Sequence, residues 1–308
     1  MQTSNIIEHQ KYFSDLSSEK IILNELKLLD GPYIFDIEAT AKCNIKCIMC
    51  PREKITRKTK TMPPKLFSIL KDWLPQDNTC LCFCGMGEPL LNKHLCNYIL
   101  SLGNGKRTLG IVTNGTLLLP EFIDRLILTN INFIEISFNS LHKDNCEKIM
   151  KGLIYKQIMR NLEYLSKVRP DKLRVKLAFT EQRANSHEIE DIKKFAEKLG
   201  FEFQHNIIHK RGGHYLQNYT NNSKLSVCGI FPKRQFISCT GDILACCHDL
   251  KGDTVIGNIM NMSFAELLSA KKQRIQNDKW FPTCVNCNDP NRITDFSGLQ
   301  EKMSVSSK

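Results

Sequence analysis

Six short apolar runs punctuate the first two thirds of the chain: "YIFDIEA", "TCLCFCG", "RTLGIV", "NFIEISF", "KLRVKLAF" and "FEFQHNII". Their length and their β-branched and aromatic content are those of strands. Between them the apolar positions take a helical period, near Pro64–Leu74, Lys93–Asn104, Pro120–Thr129, Asp144–Val168 and Ser186–Leu199. Pro64 and Pro120 suit a first helical turn, and Gly200 stands where a helix would stop. Strand and helix in alternation predict an α/β fold with a parallel sheet and right-handed crossovers. Six such units curl into a partial (β/α)6 TIM-like barrel.

Beyond about His214 the pattern changes. "GHYLQNYTNNSK" is polar and turn-rich, a linker, and "RQFISCTGDILACC" reads as a hairpin turning at Thr240, Gly241 and Asp242. A helix follows from Ser263 to about Lys279, opened by a capping box in which Ser263 is the N-cap and Glu266 lies three residues on. The expected organisation is an N-terminal extension over 1–30, the barrel over 31–214 and a small α+β unit over 215–308.

Composition narrows the setting. A chain of 308 residues with 42% hydrophobic and 24% charged content is an ordinary globular protein, large enough for a sizeable core. "MQTSNIIEHQKYFSDLSSEK" lacks a basic region followed by an apolar core, and no stretch approaches the roughly 20 apolar residues of a membrane span. A cytosolic location is expected, and a membrane partner is not. Fourteen cysteines in a reducing compartment make metal binding the default over a disulfide framework. The net charge of +11 fits either an anionic partner or a solvated lysine-rich surface. Its densest run, Arg52, Lys54, Arg57, Lys58 and Lys60, has no interleaved aromatics, which disfavours nucleic acid.

That basic run directly follows "CNIKCIMCPREK", in which Cys43, Cys47 and Cys50 stand alone as a triplet. Structural zinc sites and ordinary iron–sulfur clusters take four protein ligands. The triplet lies just past the first strand, at the end of the sheet where α/β folds bind ligands. Three thiolates can hold three irons of a four-iron cluster and leave one iron open.

This spacing resembles the signature of the radical S-adenosylmethionine (SAM) superfamily, and the resemblance implies that the methionine part of SAM completes the site. It continues downstream. "GMGEP", with Gly85, Gly87 and Glu88, resembles the family's Gly-Gly-Glu motif at the end of the second strand. The resemblance implies that the glycines admit the cofactor and that Glu88 or a backbone carbonyl meets its ammonium. "VTNGT", with Asn114, and "ISFNS", with Ser137 and Asn139, occupy family positions after the third and fourth strands, the latter two suited to ribose or carboxylate. Two departures are Met49, where the family commonly has an aromatic residue near the adenine, and Met86 at the motif's second position.

A second constellation, Cys228, Cys246, Cys284 and Cys287, resembles the first half of the SPASM extension, including its Gly-x4-Cys step, "GNI" at Gly257 and a final Cys-x2-Cys. The shorter version is the twitch domain, with one auxiliary four-iron cluster. On spacing alone zinc and iron are equal candidates; the family context favours iron and sulfide. Cys239 and Cys247 are open as spare ligands, hydrogen-atom donors or structural thiols. Cys80, Cys82 and Cys84 share one face of their strand and are expected to pack. Cys96 and Cys146 carry no pattern.

The resemblance implies reductive cleavage of SAM to a 5′-deoxyadenosyl radical and removal of a hydrogen atom from substrate. An auxiliary cluster with four protein ligands suits an electron acceptor and hence a net two-electron oxidation. Size and cysteine layout are similar to twitch enzymes that oxidise a secondary alcohol of a cyclitol to a ketone. Arg211, just after the sixth strand, is the candidate for positioning substrate, with His205 and His209 behind it. A peptide-modifying maturase is the main rival. Only about 30 residues precede the first strand, fewer than a peptide-recognition domain takes, but a separate recognition protein could serve. A molybdopterin-type cyclase is disfavoured, because its second cluster uses three cysteines. A non-catalytic electron carrier or redox sensor would not need the glycine-lined pocket. The expected partners are a small-molecule or peptide substrate and an acidic electron donor such as flavodoxin or ferredoxin.

Overall fold

The computed structural model describes residues 18–103, 105–209, 228–277, 281–285, 287–289 and 292. Strands β1 (Tyr33–Ile37), β3 (Thr79–Phe83), β4 (Arg107–Thr113), β5 (Phe133–Ser137), β7 (Arg174–Glu181) and β8 (Glu202–Ile207) pair in that order, all parallel. They are the six runs read from the sequence. Alternation does the rest: Phe35, Ile37, Leu81, Phe83, Leu109, Ile111, Ile134, Ile136, Leu177 and Phe179 are fully buried on the helix-facing side. The opposite, inner face carries two cross-strand pairs, Asp36 beside Cys82 and Glu135 beside Lys176.

Outside the sheet lie α2 (Pro64–Trp73), α3 (Leu95–Leu102), α4 (Pro120–Ile127), α6 (Tyr155–Val168) and α7 (Ile189–Lys198). Each presents an apolar stripe, for example Ile158, Leu162 and Leu165 of α6 at spacings of four and three. The sequence reading of one helix over Asp144–Val168 is corrected. It is broken into α5 (Lys143–Ile149) and α6 by the two-residue strand β6 (Met150–Lys151). β6 pairs antiparallel with β2 (Lys46–Cys47), inside the cysteine triplet, and Gly152 at φ +95 makes the turn that a helix cannot. The backbone hydrogen bond from Ile48 N to Ile149 O (2.9 Å) completes this anchor.

The C-terminal unit continues the same sheet. β9 (Arg234–Ile237) pairs parallel with β1, and β10 (Asp242–Leu244) and β11 (Val255–Asn258) extend it antiparallel, giving nine strands. The predicted hairpin turns at Gly241, φ +87. Helix α9 (Phe264–Gln276) has both hydrogen bonds of the Ser263/Glu266 capping box. Trp73 Nε1 donates to Met262 O across the two units (2.6 Å). The described N-terminal segment also packs here: α1 (Ser18–Lys27) lays Ile22 and Leu26, followed by Leu29, against Ile230, Phe231, Ile275 and Phe281. Glu25 accepts from the amide of Cys228 at 2.8 Å. No described helix is long and apolar enough to cross a membrane.

Candidate iron–sulfur and cofactor sites

The loop between β1 and α2 carries the triplet. Cys50 N donates to Cys47 O (3.0 Å), folding the last two cysteines into one turn. Burial pushes Cys47 up to about 12, and the neighbouring Cys50 and Cys43 push the same way. Burial also raises Cys43. Bare thiolates are therefore disfavoured at Cys43 and Cys47, and a bound cationic centre would favour their deprotonated form. The soft sulfur donors suit iron–sulfide.

Asn114 stands against this loop. Its amide nitrogen donates to Asn44 Oδ1 (3.0 Å) and lies 3.8 Å from Cys43 Sγ, while its oxygen accepts from the Thr116 amide and hydroxyl. Glu88 is buried and accepts from Leu90 N, the Thr113 hydroxyl and Asn114 N at 2.7–3.1 Å. Burial pushes it up to about 7 against the pull of those donors. It thus ties the second and third strand ends together. The glycines of "GMGEP" serve close backbone packing. A Cβ on Gly87 would lie 2.1 Å from Thr40 O, and one on Gly85, at φ +137, 2.9 Å from Glu38 Cγ. Ser137 ends β5, and Asn139 is buried with its Oδ1 accepting from Thr180 N (2.8 Å). Met49 is half-buried against the main core. His205 pairs with Glu181 (2.9 Å) at the rim, and Arg211 lies outside the described residues.

Sequence reasoning missed the residue at the centre. Glu38, wholly buried at the end of β1, takes a bidentate pair from Arg57 (2.7 and 2.8 Å) and further hydrogen bonds from Met86 N and Cys239 N. Four chain segments meet on one carboxylate. The side chain of Arg57, in the basic run that follows the triplet, is buried, and its Nε donates to Asp249 O (3.2 Å). A carboxylate inside "YIFDIEA" was the available signal.

The second set also comes together. Cys228 is pushed up to about 12 by burial, with Cys284 and Cys287 adding to it, and Cys246 is raised by burial and by Cys247, Cys284 and Cys287. Two buried cations attend this set. Arg292 donates to Cys284 O (3.1 Å) and Cys287 O (3.0 Å). Lys271 donates to Phe231 O and Arg234 O (2.7 and 2.8 Å). Burial lowers Lys271 to about 7, opposed by Cys228 and Cys246. Its signal was a lysine on the buried stripe Leu267, Lys271, Ile275.

The remaining thiols divide. Cys239 Sγ accepts from Lys60 N (3.3 Å) in a fully buried, structural setting. Cys80, Cys82 and Cys84 do not pack under the helices; they lie on the inner face, where Cys82 and Cys84 approach Asp36 and Cys84 senses Cys247.

The radical SAM superfamily profile matches residues 37–196, and an iron-sulfur cluster-binding SPASM domain matches residues 228–288. The chain belongs to the radical SAM superfamily, whose members bind SAM and a four-iron cluster, with auxiliary iron–sulfur clusters in the SPASM domain. It is 25% identical over 166 residues to a probable GTP 3′,8-cyclase of Methanocaldococcus jannaschii, covering 53% of this chain and 55% of that one. The chain spans about half the length of the curated relatives it matches. Its fold is similar to that of BtrN in complex with AdoMet and 2-DOIA (TM-score 0.57, 18% identity, 83% of this chain and 92% of that one). It is also similar to Streptococcus suis SuiB bound to precursor peptide SuiA (TM-score 0.65, 15% identity, 88% and 73%).

Proposed function

We propose that this radical SAM enzyme is an oxidoreductase that removes two electrons from a secondary alcohol of a small sugar- or cyclitol-like molecule. What supports the reading is the second thiol set, brought together in the fold: a cluster held by Cys228, Cys246, Cys284 and Cys287 would have no coordination position for substrate, which suits electron transfer. The inner face of the barrel favours a small polar ligand. Arg234 lies 3.7 Å from Asp36, and Glu135 is raised by burial against the lowering fields of Lys176 and Arg234. The fold's likeness to a structure binding 2-DOIA supports the same direction.

Cys43, Cys47 and Cys50 would hold the first cluster, which with SAM would supply the radical chemistry for hydrogen-atom removal, and Cys228, Cys246, Cys284 and Cys287 would hold an auxiliary cluster suited to accepting an electron. The chain's own residues hold the parts. Asn114 fixes the cysteine loop through Asn44, Glu88 locks two strand ends, and Glu38 with Arg57 joins the cysteine loop to the auxiliary unit. Ser137, at a strand end on the inner face, is assigned to the cofactor, and Arg211 to the substrate hydroxyl. Exposed Lys54, Lys58 and Lys60 beside the loop suit an acidic flavodoxin- or ferredoxin-like donor.

The test is an anaerobic assay of reconstituted, reduced enzyme with aminocyclitols and sugars deuterated at the carbinol carbon. Deuterium in 5′-deoxyadenosine with equimolar ketone is the expected result. A peptide reading draws on the likeness to SuiB with its precursor peptide. Label arriving only from peptides, or deoxyadenosine with no oxidised product from any alcohol, overturns the alcohol reading.

A further inference from the structure

A group of ligand atoms lies outside both cysteine sets. His209 follows the last barrel strand, His248 stands two residues past Cys246, and Asp289 two residues past Cys287. His248 Nε2 lies 3.2 Å from Asp289 Oδ2, and His209 Nε2 lies 3.8 Å from the same oxygen. All three ligand atoms fall within 4.8 Å of one another. The imidazole centroids are 4.7 Å apart with the rings inclined at 40°. The side chains of His209, His248 and Asp289 are only 12%, 5% and 3% exposed.

Two rings from distant parts of the chain therefore turn the same kind of nitrogen on one carboxylate oxygen in a desolvated place. The His248 contact is within hydrogen-bond range and the His209 contact, at 3.8 Å, is longer. Nitrogen and oxygen donors held at about 2.1 Å around a tetrahedral ion stand about 3.4 Å apart, a value that the two observed distances bracket. Two imidazoles with one carboxylate form a borderline donor set suited to zinc and neighbouring divalent ions, and three protein ligands leave a coordination position open.

We propose that His209, His248 and Asp289 form a mononuclear divalent-cation site at the seam between barrel mouth and auxiliary unit. His248 and Asp289 ride on the turns that carry Cys246 and Cys287, while His209 comes from the barrel, so the ion staples the sixth barrel unit to the auxiliary cysteine site. The open position takes an oxygen ligand, water or a hydroxyl. That the hydroxyl belongs to substrate rests on the alcohol-oxidation reading; the metal site does not.

The test uses the full-length protein with both clusters reconstituted, equilibrated with zinc buffered by a chelator, and elemental analysis of zinc and iron. Wild type should retain a single equivalent of zinc beyond its iron. His209→Ala, far in sequence from every cysteine, should lose it with iron unchanged, and His209→Asp, which restores an oxygen ligand, should retain it. Wild type retaining no zinc, or His209→Ala retaining as much as wild type, overturns the proposal. If His209→Ala also loses iron, His209→Gln decides: it keeps the bulk and loses the ligating nitrogen, and zinc retained in it overturns the site. The zinc count is independent of turnover, so failure of the oxidoreductase reading leaves it unchanged.

Discussion

The two cysteine sites differ in how they are assembled and in the charge that surrounds them. The triplet occupies one loop of eight residues, Cys43 to Cys50, pinned by a two-residue strand pair to the far side of the barrel. The auxiliary set gathers Cys228, Cys246 and the Cys284/Cys287 pair from three separate segments. Near the triplet, Glu88 adds negative field to Cys43 and Arg52 offsets it. Around the auxiliary set lie two buried basic side chains, Lys271 and Arg292, and the nearby cysteines favour the charged form of each. Net charge and hydrogen bonding set a cluster's potential, and nearby cations favour the reduced, more negative form. Under the proposed oxidoreductase reading, this asymmetry would favour electron flow from substrate towards the auxiliary site.

Breaking the first site should have the largest effect. Replacing Cys43, Cys47 and Cys50 together by alanine should abolish 5′-deoxyadenosine formation and halve the iron content, as read by product chromatography and iron assay. Replacing Cys284 and Cys287 should do the reverse: deoxyadenosine persists while oxidised product is lost. A folded variant that kept the wild-type product ratio would leave the auxiliary cluster a structural role only, with circular dichroism and SAM binding as the fold controls.

The connection between the sites can be cut separately. Arg57→Leu leaves Glu38 buried and uncompensated, and denaturant unfolding should show a loss of about 3–5 kcal/mol. The smallest effect sharpens the electrostatic contrast. Lys271→Met should lower the auxiliary potential, on the order of tens of millivolts in a redox titration. In protein lacking the auxiliary cluster, the folded lysine titrates near 7 against an ordinary value of 10.5. The unfolded chain then binds more protons between those values, so stability contributed through Lys271 should rise with pH across that window. Lys271→Met should remove this slope, measured as the difference between the two chemical-denaturation series.

Local patterns carried most of what was legible beforehand. Six strands followed from apolar alternation, the triplet from contiguous spacing, and α9 from a capping box confined to four residues. Features made by distant segments were not legible. The break at Met150 follows from its pairing with Cys47, which no periodicity announces. The close approach of Gly87 to the backbone of Thr40 was not legible from the motif. The hydrogen bonds that hold Asn114 to Asn44 and Asn139 to Thr180 were not legible either. The domain boundary placed after His214 hid the continuity of the sheet, since β9 returns beside β1.

The hydrogen bond between Glu25 and the amide of Cys228 joins residues 203 positions apart. At a ribosome's pace of about 5–20 residues per second, the first helix waits about 10–40 s for the segment that covers it. Through that interval Ile22, Leu26 and Leu29 have no auxiliary core to enter, although the cysteine triplet and the first barrel strands have already emerged. Synthesis thus orders the two cysteine sites in time: the triplet loop can be in place early, whereas the auxiliary set and the burial of the helix that precedes the barrel close together only once the segments from Cys228 to Cys287 have emerged.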